Sequence, residues 1–138
     1  LDEATFFANT DLIGDDTLIK RAEHAVTENQ RTLKAKAALT AGDLVTFGQL
    51  LNDSHTSLRD DYEVTGVELD TLAAAAQAHP AVLGARMTGA GFGGCGIALV
   101  KASQWDDFKA HVLAAYAEKI GYAADIYQAS IDDGARKL

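Results

Sequence analysis

The sequence predicts an α+β domain in which helices cover one face of an antiparallel sheet. Over roughly the first 80 residues, apolar side chains recur at steps of three and four, which is typical of amphipathic helices. After Pro80 the pattern changes to short apolar runs around a glycine-rich segment, which is typical of a hairpin. The resulting order, α-α-α-β-β-α-β, separates helices from strands and therefore favours the α+β class.

Composition sets the limits of the fold and of its partners. The 138 residues are 48% hydrophobic, which is enough for one domain with its own core. Twelve basic residues against 20 acidic ones give a net charge of −8, so we expect neither a nucleic acid nor an anionic membrane surface as a partner. A single cysteine, Cys95, excludes an internal disulfide and fits a reducing compartment, and we expect a cytoplasmic protein with this thiol packed in a strand.

The chain starts at Leu1, and its one methionine is Met87. We therefore expect it to be a processed or excised part of a longer protein. No apolar run reaches the roughly 18 residues of a membrane span, so no membrane segment is predicted.

Two long helices are predicted first. Asp15 or Asp16 can cap a helix that ends at Gly42, and Asp43 can cap the next. The inward face of the first is predicted to carry Ile19, Ala22, Val26, Leu33 and Ala37, and that of the second Leu44, Phe47, Leu51, Ser54 and Leu58.

A third helix is predicted after Thr65, which forms a capping-box pattern with Glu68. Val64 can pack on Leu69 across this helix start, and the helix should stop before Pro80.

The second part of the chain predicts strands and one more helix. Residues 82–88 and 95–101 form the two strands of the hairpin, and Ser103 with Asp106 starts a helix that Gly121 ends. The helix is predicted to turn Trp105, Phe108, Val112, Tyr116 and Ile120 inward. Residues Asp125 to Ile131 are predicted to form a third strand.

The hairpin tip has the one chemical signature of the chain. Its six residues match G-x-G-x-x-G, a spacing that lets backbone N–H groups approach an anion: Gly89, Ala90, Gly91, Phe92, Gly93 and Gly94. A dinucleotide-binding loop would open a helix, and a Walker A loop would continue with Lys and Ser or Thr, so neither pattern fits. A tight glycine corner that lets a helix pack on the sheet remains an open alternative.

The residues around this tip point to a family. The run Ala85-Arg86-Met87-Thr88-Gly89-Ala90-Gly91-Phe92-Gly93-Gly94-Cys95 resembles the third motif of the GHMP superfamily of sugar and metabolite kinases, in the form found in galactokinases. Ala90, in place of a glycine, is the single departure. Residues 47–65 and Glu68-Leu69-Asp70 resemble the galactokinase segment with S-H-x-S-L-R, D-Y-x-V-S and E-L-D, and Arg21, His24 and Glu28 fit its R-A-x-H-x-x-x-E-N helix.

The resemblance implies a GHMP-kinase C-terminal domain over residues 1–138, with a ferredoxin-like architecture. It also implies transfer of the γ-phosphoryl group of ATP to the anomeric hydroxyl of galactose, with magnesium. The family's phosphate loop, magnesium ligands and catalytic aspartate belong to an N-terminal kinase domain, so we expect no catalytic residue, no metal site and no tightly bound cofactor here. The chain alone should be inactive, and a surface left exposed by that missing partner could drive self-association.

Residues 89–94 are accordingly expected to shape a cleft through backbone and packing. Ser54, His55, Ser57 and Arg59 lie at the polar end of the second helix and are expected either to line this cleft or to make capping or core hydrogen bonds. His24 and Glu28 can hydrogen-bond within a helix. The alternative function is a free-standing, non-catalytic α+β module that binds a small anion or a protein.

Overall fold

Five helices and one antiparallel hairpin make up the part of the chain that the structure, a computed structural model, describes, residues 1–130. The helices are α1 (Glu3–Phe7), α2 (Asp16–Ala41), α3 (Leu44–Asp60), α4 (Gly66–Ala78) and α5 (Trp105–Ile120). The strands are β1 (Val82–Thr88) and β2 (Cys95–Val100), and single 3-10 turns lie at Thr10–Leu12 and Ala102–Gln104. The predicted α+β class is confirmed, and among residues 1–130 no helix is both long and apolar enough to cross a bilayer.

The predicted ends of α2, α3 and α5 are largely confirmed. The Asp15 carboxylate accepts a hydrogen bond from the Leu18 N–H, and the Asp43 carboxylate accepts one from the Thr46 N–H. Gly42 and Gly121 end α2 and α5 in the left-handed conformation. The start of α5 differs from the prediction, because the 3-10 turn that contains Ser103 precedes it.

The predicted inward face of α2 is wrong at Leu33 and Ala37, and it omits His24. Leu33 is 57% exposed and Ala37 is exposed, whereas His24 and Ala38 are buried. The helix turns polar side chains towards α3, where they find hydrogen-bonding partners, and a pattern search for apolar residues cannot detect such a face.

The predicted capping box at Thr65 is also wrong. Thr65 precedes α4 and is buried, but its side chain makes no capping hydrogen bond, and Gly66 follows with a φ of 77°. This left-handed step turns the chain into the helix by a route different from the extended entry of a capping box. The other part of the expectation holds, since Val64 packs against the cluster that contains Leu69.

The sheet has two strands within residues 1–130, and the predicted third strand is wrong over residues 125–130. These residues pair with neither strand, although Ile126 packs against the core. Ile131, the last residue of that prediction, lies outside the described residues. One reason is visible at β1, whose free edge is covered by α3 and is closed to a further strand.

Two apolar clusters form the core. The larger one joins α4, β1 and α5 and contains Ala75, Ala76, Ala85, Phe108 and Val112. The smaller one joins α3, α4 and β1 through Leu58, Leu69 and Met87. Both include the side chains of β1 that face away from solvent, so the strand leading to the glycine loop is held on its buried face.

Helix α3 lies against the backbone of β1 through two glycines. A Cβ atom at Gly48 would overlap the carbonyl of Leu83, and one at Gly84 would overlap the carbonyl of Gly48. The Asn52 side chain then accepts a hydrogen bond from the Ala85 N–H at 2.9 Å, while His55 accepts one from the Met87 N–H at 3.2 Å. Side chains of α3 therefore take the place of a neighbouring strand along this edge.

Candidate functional site

The glycine loop, residues 89–94, joins β1 to β2 at an exposed corner of the fold. Gly89, Gly91, Phe92 and Gly93 all have positive φ, whereas Ala90 does not. Because alanine is strained only where φ is positive, the single departure from the galactokinase motif falls at a position that tolerates it.

The loop is fastened to the connection between α3 and α4. The Phe92 N–H donates a hydrogen bond to the Val64 carbonyl at 2.9 Å, and a Cβ at Gly91 would overlap this same carbonyl. Glu63, the residue before Val64, has a φ of 57°, an uncommon value for a residue other than glycine. The connection and the loop therefore hold each other at a distance that only glycine permits at position 91.

The outer surface of the loop and of β2 is open. Phe92 is 77% exposed, and Ile97 on β2 is half exposed. Cys95 is exposed as well, so the expectation of a packed thiol is wrong. The loop contains no ionisable side chain. It can therefore offer backbone groups and an apolar surface, but no acid, base or nucleophile of its own.

Ser54 and Ser57 lie in the interior, on the side of α3 that faces α2. The Ser54 hydroxyl donates to Glu28 Oε1 at 2.6 Å. The Ser57 hydroxyl donates to Asp61 Oδ2 at 2.7 Å and lies 3.0 Å from Nδ1 of His24. Both serines thus make hydrogen bonds inside the fold, which was one of the two roles expected for them.

His55 is 3% exposed and connects α3 to β1 and α4. Since its Nδ1 accepts the Met87 N–H, the ring proton of the neutral side chain is on Nε2. That atom lies 3.3 Å from Oδ1 of Asp70, within ion-pair distance but without the alignment of a hydrogen bond. These two atoms are fully buried, although the Asp70 side chain as a whole is 33% exposed.

Within residues 1–130, the side chain of Arg59 makes no hydrogen bond with the other three residues. It is about half exposed and pairs with the carboxylate of Asp60, through Nε at 2.7 Å and Nη2 at 2.9 Å.

A charged cluster that the sequence reasoning missed lies behind the loop. Arg86 donates to Glu28 Oε1 at 3.0 Å through Nη1 and to the Met87 carbonyl at 2.8 Å through Nε. Arg31 also donates to Glu28, which already accepts the Ser54 hydroxyl. The available signal was the polar stripe of Arg21, His24 and Glu28 on α2, whose spacing of three and four places all three on one helix face.

Burial and charge shift the pKa values of this interior. Desolvation is the largest influence on the pKa of both His24 and His55 and lowers both, against the opposing effect of Glu28 on the first and of Asp70 on the second. Burial alone would raise the pKa of Glu28, but the hydrogen bond from Ser54 and the charges of Arg31 and Arg86 together lower it. At neutral pH the cluster therefore holds an ionised Glu28 and neutral histidines.

These residues do not form a metal centre. Within residues 1–130, no three His, Cys, Asp or Glu side chains are placed to hold a metal ion. His24 and Glu28 bind different partners on α3 and β1 instead.

The chain is similar to known kinases of one family. The family model described as GHMP kinases C terminal matches residues 35–120. Over 138 residues, the chain is 68% identical to a galactokinase of Enterococcus faecalis, 60% identical to one of Lactococcus lactis and 54% identical to one of Clostridium acetobutylicum. All of this chain is covered in each case, but only 36%, 35% and 36% of the relative, so the chain spans about a third of their length.

Two solved structures resemble the fold. A crystal structure of Lactococcus lactis galactokinase complexed with galactose is 60% identical and has a TM-score of 0.96, covering 100% of this chain and 36% of that one. A crystal structure of L. major mevalonate kinase in complex with R-mevalonate is 26% identical and has a TM-score of 0.62, covering 92% of this chain and 37% of that one.

The buried histidines predict a fold that acid destabilises. The pKa of His24 and of His55 is lower in the folded chain than the ordinary value of about 6.5, so below that pH the unfolded chain binds more protons. The free energy of unfolding should therefore fall as the pH drops from about 7.5 through about 6.5. Urea unfolding at several pH values measures this slope.

A matched pair of variants separates this effect from general acid sensitivity. His55→Asn should flatten the slope, whereas Thr56→Ala, at the next position on α3, is exposed and removes no titratable group, so it should leave the slope unchanged. A free energy of unfolding that stays constant or rises between about pH 7.5 and 5.5 would contradict the assignment.

Proposed function

We propose that this chain, which belongs to the GHMP kinases C-terminal family, is the C-terminal part of a galactokinase that transfers the γ-phosphoryl group of ATP to the anomeric hydroxyl of galactose. The product would be galactose 1-phosphate. The observation that carries the proposal is the glycine loop, whose eleven-residue motif differs from the galactokinase form at Ala90 alone. Its support is the close likeness of the whole chain to galactokinases, including one whose structure holds galactose.

In this proposal, the catalytic groups lie in another part of the protein. Phosphoryl transfer requires cations and positioned donors around the transferring phosphate. This chain has 20 acidic residues against 12 basic ones, and residues 1–130 contain no donor set that fits magnesium. We therefore assign residues 1–138 to a C-terminal domain, and the ATP-binding loop, magnesium ligands and catalytic aspartate to an N-terminal kinase domain.

The glycine loop would shape one wall of the cleft between the two domains. Its positive φ values and lack of ionisable side chains suit a role through backbone shape and packing. Its fixed distance from Val64 would hold that wall in place as substrates bind. Ser54, His55 and Ser57 would support the loop from the interior, and a cleft role for Arg59 stays a prediction without a contact to support it.

The proposed partners follow from the same division. The principal one is the N-terminal kinase domain, with galactose and ATP as substrates of the complete enzyme, in the cytoplasm. The acidic charge of −8 argues against nucleic acids and anionic membranes.

Activity measurements test the proposed division and the role of the loop. With galactose and ATP, the complete protein should release ADP in a coupled assay, while the 138-residue chain should release none. In the complete protein, Gly91→Ala should lower kcat/KM by about tenfold or more, because the added Cβ overlaps the Val64 carbonyl.

Gly89→Ala is the matched control for this variant. It also has a positive φ, but nothing lies within 4 Å of the added Cβ, so its loss should be smaller. Turnover by the isolated chain would refute the proposed division. Normal turnover by Gly91→Ala would remove the proposed role of the loop.

Self-association of the isolated chain is a separate expectation. Phe92 and Ile97 are exposed apolar side chains on the hairpin, a surface that the proposed partner domain would cover. Light scattering over a concentration series should show oligomers of the chain, and Phe92→Ser should reduce them. A monomer at all concentrations would count against an exposed domain interface.

A further inference from the structure

We infer that His55 is a positioning residue for the glycine loop, that it acts through the backbone of Met87, and that Asp70 orients its ring. The inference rests on the proposed function, because it says which residue fixes the shape of the loop that would form a wall of the kinase cleft. It differs from the expectation of a cleft-lining histidine, since His55 is buried behind β1.

The contact with Met87 is at the exit of β1. Met87 lies two residues before Gly89 and is 1% exposed. Its N–H points to the free edge of the strand, because it bonds to α3 and not to β2. Among residues 1–130, Nδ1 of His55 at 3.2 Å is its hydrogen-bonding partner, and a buried amide without a partner is costly.

The ring is held from its other side by α4. Nε2 of His55 faces Oδ1 of Asp70 at 3.3 Å, and within the described residues neither buried atom has a hydrogen-bonding partner. A carboxylate beside the protonated nitrogen favours the tautomer in which Nδ1 is free to accept. Asp70 therefore selects the form of His55 that can bind the Met87 amide.

The position of Met87 affects the loop by two routes, one along the chain and one through space. Along the chain, Met87 leads into Thr88 and Gly89. Through space, its side chain belongs to the cluster against which Val64 packs, and the Val64 carbonyl accepts the Phe92 N–H. A shift of Met87 would thus move the start of the loop and its anchor together, whereas packing far from the loop would move neither.

Asn52 provides a matched comparison on the same helix. It accepts the Ala85 N–H at 2.9 Å, so it makes the same kind of contact with the same strand edge, but four residues before Gly89. Removing either acceptor leaves one edge amide of β1 without its partner. Only the loss of the acceptor at position 55 should change the conformation of the glycine loop.

The test uses the complete galactokinase that contains this chain. In His55→Gln the side-chain amide lies too far along the chain to replace Nδ1, and we expect kcat to fall about 10- to 100-fold at a temperature where the fold is intact. His55→Asn places an amide oxygen near the position of Nδ1 and should recover most of that loss. Asn52→Leu should change kcat by less than about threefold, because the loop geometry on which turnover depends is kept.

A second measurement does not depend on activity. Hydrogen exchange at the Phe92 amide reports its bond to Val64 and should be faster in His55→Gln, and close to the wild-type rate in His55→Asn and Asn52→Leu. If His55→Gln does not fold, Asp70→Asn takes its place, and it should lower kcat and speed exchange at Phe92 in the same direction.

The outcomes separate the inference from the proposed function. A wild-type protein that does not phosphorylate galactose overturns the proposed function, and exchange at Phe92 then decides the inference alone. Equal losses of kcat in His55→Gln and Asn52→Leu would overturn the inference, as would unchanged exchange at Phe92 in the variant that folds. The inference would be supported if His55→Asn recovers most of the kcat that His55→Gln loses and if the Phe92 amide of His55→Asn exchanges at close to the wild-type rate.

Discussion

The contact between Gly48 on α3 and Gly84 on β1 sets the geometry on which the rest of the fold depends. Neither position has room for a Cβ atom, since each would overlap backbone of the facing element. The helix can therefore lie directly against the strand edge, close enough for Asn52 and His55 to accept the Ala85 and Met87 amides. Within residues 1–130 the sheet has two strands, and side chains of α3 satisfy amides on the edge of β1 that a further strand would otherwise occupy.

The position of the glycine loop depends on how this edge of β1 is held. Met87 is held by His55, Arg86 is held by Glu28, and Phe92 is bonded to the connection between α3 and α4. Every one of these contacts comes from a segment that resembles a galactokinase motif. The three motifs, which are far apart in the sequence, thus meet along β1 and at the glycine loop. We interpret them as the support of the loop more than as a source of catalytic groups.

Local patterns were sufficient to predict most of the fold. The two strands of the hairpin, the capping aspartates Asp15 and Asp43, and the inward face of α5 follow from signals within a few residues, whereas the predicted third strand does not form over residues 125–130. Two of the failures share a cause, because tertiary packing buries polar groups: the prediction turns Leu33 inward in place of His24, and it gives Thr65 a capping hydrogen bond that Thr65 does not make. Apolar periodicity does not reveal polar groups that are buried with partners from distant segments, so the contacts of Arg86, Glu28, Asn52 and Asp70 required the structure.

The free energy of unfolding of Gly48→Ala tests the central claim most directly. On helix propensity alone this change should stabilise a helix by about 0.5–1 kcal/mol, whereas the overlap with Leu83 should destabilise the fold by about 1–3 kcal/mol. We predict a net loss of stability, in contrast to Thr56→Ala on the exposed side of the same helix, which should be neutral or slightly stabilising. A Gly48→Ala chain as stable as the wild type, or more stable, would show that α3 is not held against β1 and would contradict the account.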